Sequence, residues 1–282
     1  MEARLAHPIF KPYRKWLAKL SEPLAASVAD LTALADEAGI RVASGAPLRF
    51  VVPSSECKAY GAYERRVFES GRVETRPGSL HDLFNALAWL AFPRTKARLN
   101  ALHTREIPRE QGRRGRLRDL LTLVDEGGAI VRSSNAELRR LVHDMNWRAL
   151  FWQERDRLGD FQIQVVGHAV LERALAPWPG IVCKVVFVDG DGDPDELASQ
   201  ALEDLPLDAA PRTFPVLPIF GYPGWDDRTA EARFYDDEKY FRRARWRRPG
   251  IAAARRMGAE SRPGSRCGNA EESPGSAEQD AG

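Results

Sequence analysis

Five histidines stand in the 282-residue chain, and three of them fall where chemistry can be built. His81 and Asn85 are spaced i and i+4, so on a helix both side chains reach one point. His168 and Glu172 repeat that spacing, which metal-binding helices use. His103 closes the segment that follows His81. Imidazole moves protons near neutral pH or ligates a divalent metal. The leading reading is therefore a small polar, metal-assisted hydrolytic site. In it His81, Asn85 and His103 are the catalytic groups, and His81, His168 and Glu172 hold a divalent metal. The plainer alternative is that Glu172 pairs with a neighbouring arginine such as Arg173 or Arg76 while the histidines satisfy local backbone.

Other motifs carry less. The dipeptides His81-Asp82 and His143-Asp144 have the form of a metal-dependent phosphohydrolase pair, but no later aspartate on a clear helical face completes the set. The run Asp189-Gly190-Asp191-Gly192-Asp193 opens like a calcium loop. Pro194 stands where that loop needs glycine and Gln200 where it needs an acid, so a strand-to-helix turn capped by Asp193 fits better. The chain has no G-x-G-x-x-G, P-loop or G-x-S-x-G pattern. Two arginine clusters, Arg105–Arg118 and Arg242–Arg248, the second interleaved with Phe241 and Trp246, support a competing reading. This is a non-enzymatic nucleic-acid or protein-partner binding module, in which arginine grips phosphate and aromatics stack on bases.

The histidines must be positioned by the stretch from Arg76 to His103. Ser79 is placed to cap a helix, Asp82 favours its positive end, and Pro93 ends it and opens a second helix. At about 100° per residue, Leu83, Phe84, Leu87, Leu90 and Ala91 share one arc. The opposite arc carries His81, Asp82, Asn85, Trp89 and Phe92. The absence of lysine, arginine and glutamate between Leu80 and Phe92 implies that this arc faces another part of the protein. Residues 161–175 place Phe161, Val165, His168 and Glu172 on one face and predict a helix, with Gly167 allowing close helix packing.

Elsewhere Ser27 to Ala38 predicts a helix closed by Gly39, Leu48 to Val52 a strand, and residues 59–75 a helix, a turn at Ser70-Gly71 and an extended segment. The arginine-rich 105–118 reads as an exposed loop. Leu120–Val124 and Ala129–Arg132 read as a hairpin around Asp125–Gly128. A long helix with a Ser134/Glu137 capping box then runs to Trp152. Ile181 to Val188 is a strand, and Pro194 to Leu205 a helix. Residues 206–225 wrap the surface, and Phe234 to Arg248 form a last helical segment. A net charge of +2 argues against a wholly basic nucleic-acid binder. Cys57, Cys183 and Cys267 show no paired spacing, and no apolar run reaches membrane-spanning length. With no signal-peptide pattern at the N-terminus, the expected location is the cytoplasm, away from membranes.

Several blocks resemble a bacterial family, the domain of unknown function 3025 family. They are Tyr63-Glu64 with Gly71 to Arg76; His81 to Leu87 with Trp89, Phe92-Pro93, Lys96, Asn100 and His103; Arg118 to Glu126; Gly167 to Ala169 with Glu172; and Pro223 to Trp225 with Phe234 to Asp237. Leu80 stands where the family pattern often has an aromatic residue. The resemblance spans roughly residues 8–245 and implies a single domain, with no activity attached. Helices outnumber strands without regular alternation, so the expected fold class is α+β. It is a single compact domain over 1–248, mostly helical with a small sheet, followed by a disordered C-terminal tail over 249–282.

Overall fold

The computed structural model describes residues 2–53, 60–110, 112–176, 178 and 180–243. The expected tail, the end of the last helical segment and the prolines at 177 and 179 lie outside them. The helices are α1 (Glu2–Leu5), α2 (Arg14–Leu17), α3 (Val28–Glu37), α4 (Ala62–Ser70), α5 (Leu80–Ala91), α6 (Pro93–Glu106), α7 (Arg116–Gly127), α8 (Ala136–His143), α9 (His168–Ala174) and α10 (Pro194–Glu203). The strands are β1 (Arg49–Val51), β2 (Arg72–Glu74), β3 (Gly128–Arg132), β4 (Gln162–Val165), β5 (Cys183–Val188) and β6 (Val216–Leu217). They form a two-stranded parallel sheet, β1-β2, and a four-stranded mixed sheet in the order β4-β3-β5-β6. Strands β3 and β5 are parallel, while β4 and β6 pair antiparallel at the edges. The fold class is α+β, mostly helical with small sheets.

Local signals explain the helix starts. Ser27 caps α3 with a capping box to Asp30. Ser79 accepts from the Asp82 amide at the start of α5, and Asp193 caps α10. Gly71 ends α4 in the left-handed conformation at φ 69°, where a side chain would also strike the Pro47 carbonyl. Helix α5 is buried nearly all round. Leu83, Phe84, Leu87 and Leu90 are core residues, and so are Asp82, Trp89 and Phe92 on the other arc. Helix α9 covers the side of α5 that carries His81, and α7 packs on both α6 and α9. This is why α5 lacks long charged side chains.

Four expectations are corrected. The 161–175 segment is a strand, β4, followed by the short helix α9. Backbone bonding of Gln162–Val165 to β3 outweighs their helical spacing. The expected hairpin at 120–132 is instead α7 running directly into β3, because Leu117, Leu120, Leu121 and Val124 bury one helical face. The arginine-rich 105–118 is not one exposed loop: α6 extends to Glu106, a 3-10 turn covers Ile107–Arg109, and Arg118 is buried on α7. The long helix ends at His143, its cap is Asn135, and Met145 breaks it at φ 53° before a π-helical turn over Ala149–Gln153.

Candidate active site

A cleft of about 510 Å³ opens where α4, α5, α6, α7 and α9 meet. Its lining includes Glu64, Arg76, His81, Asn85, His103, Asp125 and His168. Four of the five residues expected from sequence to act together, His81, Asn85, His103 and His168, line this one space. Glu172 stands behind it, bonded to His81.

One wall is a file of four titratable side chains. Glu172 Oε2 lies 3.1 Å from His81 Nδ1, and His81 Nε2 lies 3.1 Å from His168 Nε2. On the far side, His168 Nδ1 lies 3.7 Å from Asp125 Oδ2, too long for a hydrogen bond. Among the described residues that buried nitrogen has no hydrogen-bond partner. Glu172, as a carboxylate, can only accept, so Nδ1 of His81 carries a hydrogen. The Asp125 charge favours a hydrogen on Nδ1 of His168. Two Nε2 lone pairs then face one another across 3.1 Å, so the neutral pair can accept one proton and share it on that line. Burial lowers the His168 pKa to about 4, with the Asp125 charge opposing, so His168 by itself stays neutral, while the His81 side chain is half-exposed.

Beneath this wall, Lys96 is buried on α6. Its ammonium donates to Asn85 Oδ1 at 2.8 Å and also to Asp125 Oδ1. Burial pushes the Asp125 carboxyl up, but the charge of Lys96 and its hydrogen bond hold it below its ordinary value. The opposite wall carries Glu64, whose carboxyl is raised by burial although Asn100 donates to it at 2.9 Å. His103 stands beside it and accepts at Nδ1 from Arg118 Nε at 3.1 Å. Burial is the first cause that lowers the His103 pKa to about 4, and the Arg118 charge adds to it.

The expected metal set of His81, His168 and Glu172 is brought together, but in a row. His168 and Glu172 sit on opposite nitrogens of the His81 ring, so the three do not surround a common point. Among the described residues no three His, Cys, Asp or Glu side chains are placed to hold one metal ion. The pairing of Glu172 with Arg173 or Arg76 does not form; Arg76 instead grips Asp82 with two nitrogens. His143 is on α8, against Phe187, and does not line the cleft.

Sequence reasoning missed Lys96, Asn100, Arg118, Asp125 and Glu64 as site residues. A signal existed for four of them. Lys96, Asn100 and His103 are spaced i, i+4, i+7 on α6, and Arg118, Thr122 and Asp125 repeat that spacing on α7. Each set lies on one helical face. The hairpin reading of 120–132 hid the second set.

The first arginine cluster is largely engaged with acids. Arg118 pairs with Glu110, Arg105 and Arg109 pair with Glu106, and Arg114 lies 3.8 Å from Asp119. Of the second cluster, Arg242 and Arg243 are described, and the rest lies outside the described residues. No described helix is long and apolar enough to cross a membrane.

A family model described as "Protein of unknown function (DUF3025)" matches residues 48–245, which include every residue of the cleft. No curated protein and no solved structure matches the chain.

Proposed function

The chain belongs to the DUF3025 family of unknown function, and from the geometry of its cleft we propose that it is a hydrolase acting on a small polar substrate by general acid–base chemistry in the bacterial cytoplasm. The observation that carries this is the 3.1 Å approach of the His81 and His168 Nε2 atoms at the wall of the cleft, with a carboxylate beyond each ring. Such a pair can take a proton from water and return it to a leaving group, a contribution of roughly 10²–10⁴ in rate. Glu172 fixes the tautomer and orientation of His81, as an outer carboxylate does for a metal-ligating or catalytic histidine. A metal-assisted version would use the two Nε2 atoms as ligands, with Glu172 in that outer role. The free, buried Cys183 agrees with a reducing compartment.

The test is a panel of p-nitrophenyl esters, phosphomonoesters and phosphodiesters, run with chelator and again with added zinc or manganese. Turnover that falls at least about 100-fold in both His81→Ala and His168→Ala supports the reading. Activity on no member of the panel, or turnover that survives both substitutions, counts against it. Dependence on added metal selects the metal-assisted version.

A further inference from the structure

Two neutral groups in the cleft have their hydrogen-bonding polarity fixed by buried cations. Arg118 is a permanent cation and can only donate. It is held in place by Glu110 at 2.8 Å and the Tyr60 hydroxyl at 3.0 Å. Its Nε–H points at His103 Nδ1, so that nitrogen is a lone pair and the ring hydrogen sits on Nε2. Lys96, also donor-only, points at the Asn85 carboxamide. The atom facing it is therefore Oδ1, which leaves the NH₂ end to donate, with the Tyr63 hydroxyl as one neighbour and the side chain lining the cleft. Asn85 and His103 both line that cleft, and the hydrogen bond His103 makes to other described residues is the one from Arg118.

We propose that Asn85 and His103 form a donor subsite for a carbonyl oxygen that becomes negatively charged, so that the substrate class of the cleft is a carboxylic ester or amide. The proposal rests on the hydrolytic reading above and names its substrate. Water loses a proton to the His81–His168 pair as its oxygen bonds to the acyl carbon. The carbonyl π pair moves onto oxygen, between the Asn85 and His103 N–H groups. On collapse that electron pair reforms the carbonyl, the bond to the alcohol or amine breaks, and the leaving group takes the proton back from the two histidines. Donors aimed at developing charge in a site screened from water are the largest single source of such catalysis.

His103 suits this task because it stays neutral. The groups around it are Asp125, Arg118, Arg114 and Lys96, with Glu64 across the narrow space behind the cleft. Burial is the first cause of that neutrality; the Asp125 charge opposes it, the charges of Arg118, Arg114 and Lys96 add to it, and a second ring proton would break the Arg118 bond. A neutral imidazole can polarise a carbonyl without giving up its proton. His103 is thus assigned as a donor to the substrate oxygen, and the base is assigned to the other wall.

The experiment uses the full chain and needs no turnover. Nitrogen-15 spectra of the histidine rings, recorded between about pH 5 and 9, report which nitrogen of each ring is protonated. The expected result is one ring with Nδ1 unprotonated throughout, assigned to His103 by its loss in His103→Gln. Phenylphosphonate, a tetrahedral anion resembling water attack on a carbonyl, is then titrated in. It should shift the His103 Nε2 signal. Its affinity should fall about tenfold or more in His103→Leu, and much less in His103→Gln, which keeps a donor. A His103 ring that titrates near its ordinary value, or phosphonate binding that is absent or unchanged in His103→Leu, overturns the proposal. If His103→Leu does not fold, the spectra of the unmodified protein still decide. Phosphonate binding with no ester turnover would sink the hydrolytic reading while leaving the donor subsite intact.

Discussion

His81 and His168 are 87 residues apart, yet their Nε2 atoms lie 3.1 Å from each other with the rings edge to face. The contact exists because α9 packs against α5 and begins at His168 itself. Gly167 makes that placement possible: its backbone passes against Gly127 and Gly128 at the junction of α7 and β3, where a Cβ would lie 2.5 Å from Gly127 Cα.

That close approach gives a direct prediction. In Gly167→Ala the new methyl would meet backbone at 2.5–2.6 Å, which no side-chain rotation relieves. Stability should fall by about 1–3 kcal/mol or more, and α9 should shift so that the His81–His168 contact is lost. Thermal unfolding and histidine nitrogen spectra measure the two effects. An unchanged melting temperature with an unchanged imidazole pair would show that the junction is looser than described.

Acid should destabilise the fold through two histidines. His103 and His168 are held neutral, each with a pKa lowered to about 4, chiefly by burial. In the unfolded chain the value is about 6.5. Between these values the unfolded chain binds more protons, so stability is fully present above about pH 6.5 and is lost as pH falls toward 4. The loss is on the order of 3 kcal/mol for each ring. Urea unfolding at pH 7 and at about pH 5 should show a clear drop in midpoint, smaller in His103→Gln. Equal midpoints at the two pH values would falsify the neutral burial of both rings.

Lys96 and Asp125 stabilise each other in a nearly dry setting, with side chains 3% and 27% exposed. Lys96→Met leaves the Asp125 charge without its main partner and should cost about 3–5 kcal/mol at neutral pH. Adding Asp125→Leu to that variant should recover part of the loss, because the pair must otherwise be desolvated together. Equilibrium unfolding of the two single variants and the double variant reads this out. Strict additivity of the single effects would mean that the two charges do not interact.

The sequence by itself determined what local chemistry can determine. Ser27, Ser79 and Asp193 mark their helix starts because a hydroxyl or carboxylate satisfies nearby amides, whatever the rest of the chain does. Pro93 separates α5 from α6 because its ring excludes the preceding residue from helix. The unusual face of α5, carrying His81 and Asn85 without long charges, already implied a covered surface. Tertiary structure decided the rest. Residues 162–165 become a strand because β3 offers hydrogen bonds from some thirty residues away, a partner that periodicity within the segment does not contain. The same holds for the site. Arg118 reads as one of six arginines in a charged run until burial sets its guanidinium on His103, and Lys96 reads as a surface lysine until α7 brings Asp125 to it. Which proton each imidazole keeps follows from those long-range partners and from desolvation, and neither exists before the helices have packed.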